Sequence, residues 1–138
     1  MAYATIAQLQ SHIQELTFSG SSKPTTTEVN NWLDEVSDEM DVKMRAAGVT
    51  VPVTTPANAM HYLERIVIAG VLARVFSSIQ MESEEAAVRR LEFDAEMDRI
   101  VNNPALVRAD TVRESVAGFN ETAAGARTVI FKRYTDQW

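Results

Sequence analysis

The stretch from Thr54 to Ile79 constrains the fold more than any other part of the chain. Apolar side chains recur in it at three- and four-residue steps, and further apolar residues fill most of the remaining helical face. A helix that is apolar nearly all round must be buried on several sides. Pro56 suits the first turn of such a helix, because that turn needs no backbone N–H. The sequence therefore predicts a central core helix.

Two arginines inside this stretch, Arg65 and Arg74, argue against a membrane span. A helix of about 22 residues would be roughly 33 Å long, enough to cross a bilayer. Each arginine, however, would cost about 2.5–3.5 kcal/mol near the bilayer centre. An arginine on a mostly apolar helix needs a carboxylate or a path to the surface. We therefore expect no membrane association, and we predict that both arginines form ion pairs in the core or between subunits.

Two capping boxes, Thr5–Gln8 and Thr25–Glu28, mark the starts of the first two helices. The first helix is predicted to be short and to end near Leu16. The second is amphipathic and is predicted to stop at Gly48, the usual left-handed terminator. Its apolar stripe consists of Val29, Trp32, Leu33, Val36, Met40 and Met44.

The fourth helix is predicted to begin near Ser83 and to end before Pro104. Its apolar residues form two ridges, which indicates contact with more than one neighbour. One ridge is Val88, Leu91, Ala95 and Ile100, and the other is Phe93 and Met97. Together the four segments predict an all-α fold, a small bundle of about four helices over residues 1–104.

Residues 105–138 differ in character, with glycines, scattered alanines and only short apolar runs. The run 129–131 is a candidate for one short strand. An aromatic segment too sparse to bury itself is typical of a chain end that orders on a partner. We therefore predict an extended C-terminal arm; a tail packed back on its own bundle is the alternative. The predicted assembly contacts of this arm are Val129, Ile130, Phe131, Tyr134 and Trp138.

The chain is acidic, with a formal net charge of −6 and no basic cluster. A protein that grips nucleic acid needs a basic face to displace counterions. Sequence-specific DNA binding is therefore not expected, whereas an acidic surface would suit a channel through which DNA slides. The predicted acidic surface or lumen consists of Asp34, Glu35, Asp38 and Glu39 on the second helix.

Few residues in the sequence are candidates for catalysis or metal binding. His61 and Glu64 stand three residues apart, but di-iron bundles use the order Glu-x-x-His and further glutamates. We predict that His61 is a capped or ion-paired core residue. Paired carboxylates lie on solvated helix faces, without the pocket that acid–base catalysis requires. The chain has no cysteine and no glycine-rich phosphate loop. The sequence therefore predicts no enzyme, no metal site and no cofactor.

The order of the parts is also informative. A short opening helix begins with Tyr3–Leu9, and a loop leads to Pro24–Leu33 and an amphipathic helix. A proline-containing connector, a strongly apolar helix, a charged helix and a long tail follow. This plan resembles that of the head–tail connector (adaptor) proteins of tailed bacteriophages. The resemblance covers residues 1–103 and rests on the helical plan and the start sequence.

The resemblance implies a structural role in the virion. Such adaptors are small helical bundles that assemble in a ring, commonly a dodecamer, beneath the portal at the neck. The implied partners are further copies of this chain, the portal protein and a tail or neck protein, with DNA passing through unbound. The first ten residues lack the features of a secretory signal, so we expect assembly in the host cytoplasm.

Other functions remain open on the sequence. They are another phage neck or tail-completion protein, a small helical regulator of a host protein, and an enzyme with a carboxylate site beside His61. Oligomeric mass and metal content distinguish them. The adaptor hypothesis expects the apolar surface of the third helix, with the aromatic tail, to exceed what one copy can bury. Assembly would then supply the missing cover.

Overall fold

A computed structural model describes residues 1–79 and 84–108. This part of the chain holds four α-helices and one 3-10 helix and contains no strand. The elements are α1 (Ile6–Gln10), α2 (Thr26–Ala46), α3 (Ala57–Ile79), α4 (Glu84–Asn102) and η1 (Pro104–Val107). The chain divides into two units, Met1–Val107 and Arg108–Trp138. The predicted all-α bundle of about four helices is confirmed, while the predicted arm and its candidate strand lie outside the described residues.

α3 is the centre of the bundle. Every residue from Ile66 to Ala73 is buried. Because 3.6 residues complete one helical turn, this run of eight is covered in every direction. α3 packs most extensively against α4 and then against α2, with α1 and η1 adding smaller contacts. The expectation that one copy cannot bury the apolar surface of this helix is therefore wrong, since Ile79 is the one large apolar side chain of α3 that is exposed.

Gly70 marks the closest approach of three helices. A Cβ atom placed there would lie 2.9 Å from Cγ1 of Val36 on α2 and 2.9 Å from Cδ2 of Phe93 on α4. Real Cβ atoms do not approach neighbours so closely, and both neighbours are fully buried. The missing side chain therefore lets Val36 of α2 and Phe93 of α4 pack tightly against this turn of α3. None of the helices in the described ranges is long and apolar enough to cross a bilayer.

α2 follows the sequence pattern closely. Its capping box is formed, with the Thr25 hydroxyl accepting from the Glu28 N–H and the Glu28 carboxylate accepting from the Thr25 N–H. The helix ends at Ala46, and Gly48 adopts φ +87°, as predicted for the terminator. Ser37 is buried among the apolar residues of the helix. The buried apolar residues are Val29, Leu33, Val36, Met40 and Met44.

α1 is shorter than predicted. Its capping box at Thr5 and Gln8 is confirmed, but the helix ends at Gln10 and not near Leu16. The Gln10 side-chain amide donates to the carbonyl oxygens of Ile13 and Leu16. Side-chain donors that satisfy backbone carbonyls offer the chain an alternative to further helical turns. The segment after Gln10 therefore continues as turns.

Tyr3 holds the N-terminal segment against α2 and the connector before α3. Its backbone N–H donates to Ser37 Oγ over 3.0 Å, and its hydroxyl donates to Asp41. The same hydroxyl oxygen accepts from the Val53 N–H over 3.0 Å. Burial, followed by the hydrogen bond to Asp41, raises the pKa of Tyr3 above its usual value. The phenol therefore stays protonated and acts as a hydrogen-bond donor.

The first unit extends past α4. After Asn102 the chain forms η1, whose Val107 side chain is buried against the core. η1 contacts both α3 and α4. Residues 105–107, which the sequence analysis assigned to the arm, therefore include one residue of the bundle core.

Candidate functional site

The predicted acidic surface lies on the outer side of α2, and its four carboxylates divide into two pairs. Glu35 forms an ion pair with Arg74 of α3. Glu39 is half-buried and lies 3.4 Å from Lys43 Nζ and 3.5 Å from Arg90 Nη2 of α4. These two acids join α2 to the helices beside it. They are therefore less available than their exposed neighbours to a partner or a channel.

The other two acids, Asp34 and Asp38, are exposed to solvent. Asp38 lies 4.0 Å from the amino group of Met1, with most of its side chain in water. Asp34 has no ion pair within the described ranges. At such exposed positions a surface ion pair contributes little, so both side chains present their carboxylates to solvent.

The two arginines of α3 behave differently. Arg74 is half-buried and pairs with Glu35, so it links α3 to α2 inside one copy. Arg65 is exposed, and its guanidinium lies 5.7 Å from the centroid of the Tyr62 ring. Within the described part of the chain Arg65 has no carboxylate partner. Its predicted ion pair is therefore not formed inside this unit.

A groove of about 880 Å³ opens between α2, α3 and α4, and the sequence analysis missed it. It is lined by the half-buried Trp32 ring, by the charged side chains of Arg74, Arg90 and Glu84, and by residues whose side chains are small. The small residues are Gly70, Ala73, Ser77 and Ser78 of α3 with Ala86 and Ala87 of α4. The helical spacing of the small residues on α3 was the available signal, but three helices have to come together before a groove exists.

The two ridges of α4 have opposite surroundings. Phe93 and Met97 are buried, and Ile100 is buried with them. Val88 is 57% exposed and Leu91 is 68% exposed. Ala95 is exposed one turn further along. The second apolar surface predicted for this helix therefore has no cover within the described part of one copy.

We name the surface formed by Val88, Leu91 and Ala95 the α4 ridge. Its side chains lie at three- and four-residue spacing, so they share one face of the helix. Ion pairs border one side of the ridge, because Arg89 lies 3.7 Å from Glu85 and 3.3 Å from Glu92. An apolar strip beside a charged border is an arrangement that helices use to meet other helices.

His61 does not lie in the core. Its side chain is 78% exposed, and its Nδ1 atom is 4.0 Å from Glu64 Oε2. The Glu64 carboxylate instead accepts a hydrogen bond of 2.6 Å from the side-chain amide of Gln8. The prediction of a core histidine is therefore wrong, because the first turns of α3 extend beyond the cover of the other helices. The described residues contain no cluster of three or more potential metal ligands.

Tyr62 connects α3 to α4. Its hydroxyl donates to Glu96 Oε1 over 3.1 Å, and Glu96 also lies 2.9 Å from Arg99. Burial, followed by the charge of Glu96, raises the pKa of Tyr62. The bond therefore holds the two helices together and leaves the phenol protonated.

The five predicted assembly contacts of the C-terminal arm, residues 129–131, 134 and 138, lie outside the described residues. No protein-family model matches the chain, and the searches of curated proteins and of solved structures also found no match. Any assignment of function therefore has to rest on the surfaces of this chain.

Proposed function

We propose that the protein is a structural virion protein, a head–tail adaptor that forms a ring beneath the portal, joins the capsid to the tail and lets DNA pass. The α4 ridge is the observation that carries this proposal. Val88 and Leu91 leave a contiguous apolar strip in water, although the same copy buries the far more apolar α3. Strips of this kind mark sites of protein–protein contact.

A ring requires each subunit to present two different surfaces, one to each neighbour. The α4 ridge supplies one such surface. A two-fold dimer would instead use the same face twice, with the ridge of one copy against the ridge of the other.

The acidic character of the chain supports passage of DNA over capture of DNA. The net charge is −6, and the exposed carboxylates of α2 repel phosphate groups. Counterion release, which drives most nonspecific DNA binding, requires lysine and arginine on the contacting face. An adaptor whose lumen is lined by acids would therefore let the genome move without holding it.

The test is the mass of the intact chain in solution, measured by light scattering with and without the portal protein. We expect a ring-sized species, visible as closed rings by electron microscopy. Leu91→Glu should reduce the ring fraction, because a charge in the α4 ridge would be buried without a partner. Val101→Glu is the matched control, since Val101 is a 42% exposed apolar residue of α4 that lies outside the α4 ridge.

A chain that stays monomeric at every concentration, with and without portal protein, contradicts the adaptor. That result favours the small helical regulator. Rings that form equally well from Leu91→Glu and from the unmodified chain would show that the α4 ridge is not the contact.

A further inference from the structure

The groove between α2, α3 and α4 has the chemistry of a site for aromatic side chains. Ala73 and Ala87 line it without filling it, because neither has atoms beyond Cβ. The half-buried ring of Trp32 supplies an apolar wall. A space of about 880 Å³ with such a lining accommodates several rings.

Two arginines strengthen this preference. Glu35 holds Arg74 in place, and the Arg90 Nε atom lies 3.4 Å from Asp94 Oδ1. Arg90 also lies 5.1 Å from the centroid of the Phe93 ring, so its planar group is already packed on one aromatic face. Guanidinium groups attract aromatic rings through cation–π contacts. The groove therefore favours a ligand that presents aromatic rings.

The sequence of this chain contains such a ligand. Phe131, Tyr134 and Trp138 stand at positions i, i+3 and i+7. This is the spacing of anchor residues in amphipathic segments that bind a groove through one helical face.

The length of the chain allows the ligand to come from another copy. Between Arg108 and Phe131 lie 22 residues, which reach up to roughly 70 Å when extended. α3, the longest helix of the bundle, is about 35 Å long. The connecting residues are therefore long enough to cross one bundle and reach the groove of the next.

We propose that Phe131, Tyr134 and Trp138 of one copy bind in this groove of a neighbouring copy. The inference rests on the proposed function, because it names a contact that joins successive subunits of the ring. It also commits to one occupant, the C-terminal segment of a second copy. Binding of a segment in its own groove is an outcome that would overturn it.

Disulfide crosslinking tests the contact, because the natural chain has no cysteine. Ser77→Cys places a thiol in the groove at an exposed position, and Gln137→Cys places one in the C-terminal segment. Mixing full chains that carry one substitution each should give a disulfide-linked dimer on mild oxidation. Asn58→Cys is the matched control, because it is exposed near the opposite end of α3. The control should crosslink at least about tenfold more slowly.

Two further variants test the chemistry of the contact. Replacing Trp138 with Ala should slow the crosslink at least about tenfold, as expected for an aromatic anchor, whereas Thr135→Ala should not. Ala87→Arg should slow it as well, because a long side chain would fill the groove. Ala46→Arg is the control, since Ala46 is exposed at the end of α2, outside both the groove and the α4 ridge.

A chain that carries both cysteines distinguishes the source of the segment. Crosslinking that produces only monomers at low and high concentration overturns the inference. Closed rings without any crosslink between Ser77→Cys and Gln137→Cys chains also overturn it, while the adaptor proposal stands. Crosslinked copies that never close into rings support the contact and contradict the adaptor proposal.

Discussion

α3 and α4 are neighbouring helices of similar length, but they differ in how completely their apolar side chains are buried. α3 is covered in every direction between Ile66 and Ala73. α4 buries Phe93 and Met97 but leaves the α4 ridge in water. The apolar surface that one copy cannot bury therefore lies on the charged helix and not on the most apolar one. The apolar content of a helix predicts how much of it is buried. Which apolar side chains stay exposed depends on how many other helices pack against it.

The largest expected effect is a difference in the free energy of unfolding between substitutions on the two sides of α4. Phe93→Ala removes a fully buried ring from the core and should destabilise the fold by about 3–5 kcal/mol. Leu91→Ala, two residues away, should change the free energy of unfolding by less than about 0.5 kcal/mol in a dilute single copy. Urea unfolding measures both values. Equal losses at the two positions would mean that the α4 ridge is covered within one copy.

The second prediction concerns the hydrogen bonds by which Tyr3 holds the N-terminal segment against the bundle. Tyr3→Phe leaves the buried Val53 N–H without its acceptor and Asp41 without its donor. It should destabilise the fold by about 1–3 kcal/mol. Tyr62→Phe is the matched control, because its partner Glu96 is only partly buried and water can replace the lost bond. We expect it to cost less than about 1 kcal/mol. Urea midpoints of the two variants test this difference.

The third prediction tests how tightly α2 and α4 pack against α3 at Gly70. Gly70→Ala adds a methyl group that meets Val36 and Phe93. Overpacking costs about 1–3 kcal/mol, and the higher helix propensity of alanine returns about 1 kcal/mol. A net loss of roughly 1 kcal/mol in thermal or urea unfolding is therefore expected. Gly20→Ala is the control, because no atom lies within 4 Å of its added Cβ. A gain in stability at Gly70 would mean that the helices are less tightly packed than described.

The smallest effect is a dependence on alkaline pH. Burial raises the pKa of both Tyr3 and Tyr62, with Asp41 and Glu96 as further causes. Below about pH 10 the phenols are protonated in both states, and their contribution to stability is complete. As the pH rises further, the unfolded chain ionises first and stability is lost toward the folded pKa. Tyr3→Phe should reduce this loss more than Tyr62→Phe, as measured by unfolding between about pH 9 and pH 11.

The sequence was most informative where the structure depends on residues that are close together in the chain. Both capping boxes and the terminator at Gly48 are formed as predicted, because a cap needs only side chains within one turn. The buried stripe of α2 was also predictable, since its opposite face is almost entirely polar. α4 offered two apolar ridges of similar strength, and only packing against α3 decides which one is inside.

The candidate site was less accessible to sequence reasoning. The groove depends on Trp32, Gly70 and Ala87, which belong to three different helices and come together only in the folded bundle. His61 was misplaced because its apolar neighbours in the sequence suggested a buried position. An ion pair of Arg74 was predicted, but the choice of Glu35 on α2 as its partner depends on the angle between two helices.

The short turn at η1 has a mechanical consequence. If the residues beyond Arg108 bind a neighbour, tension along them is transmitted to η1, whose Val107 side chain is buried in the core. Unseating one valine costs about 1.5–3 kcal/mol, much less than unfolding a helix packed like α3. Under tension η1 would therefore detach from the core before the helices unfold. The connection to the neighbour would lengthen by a few residues, while the four helices of the bundle stayed folded.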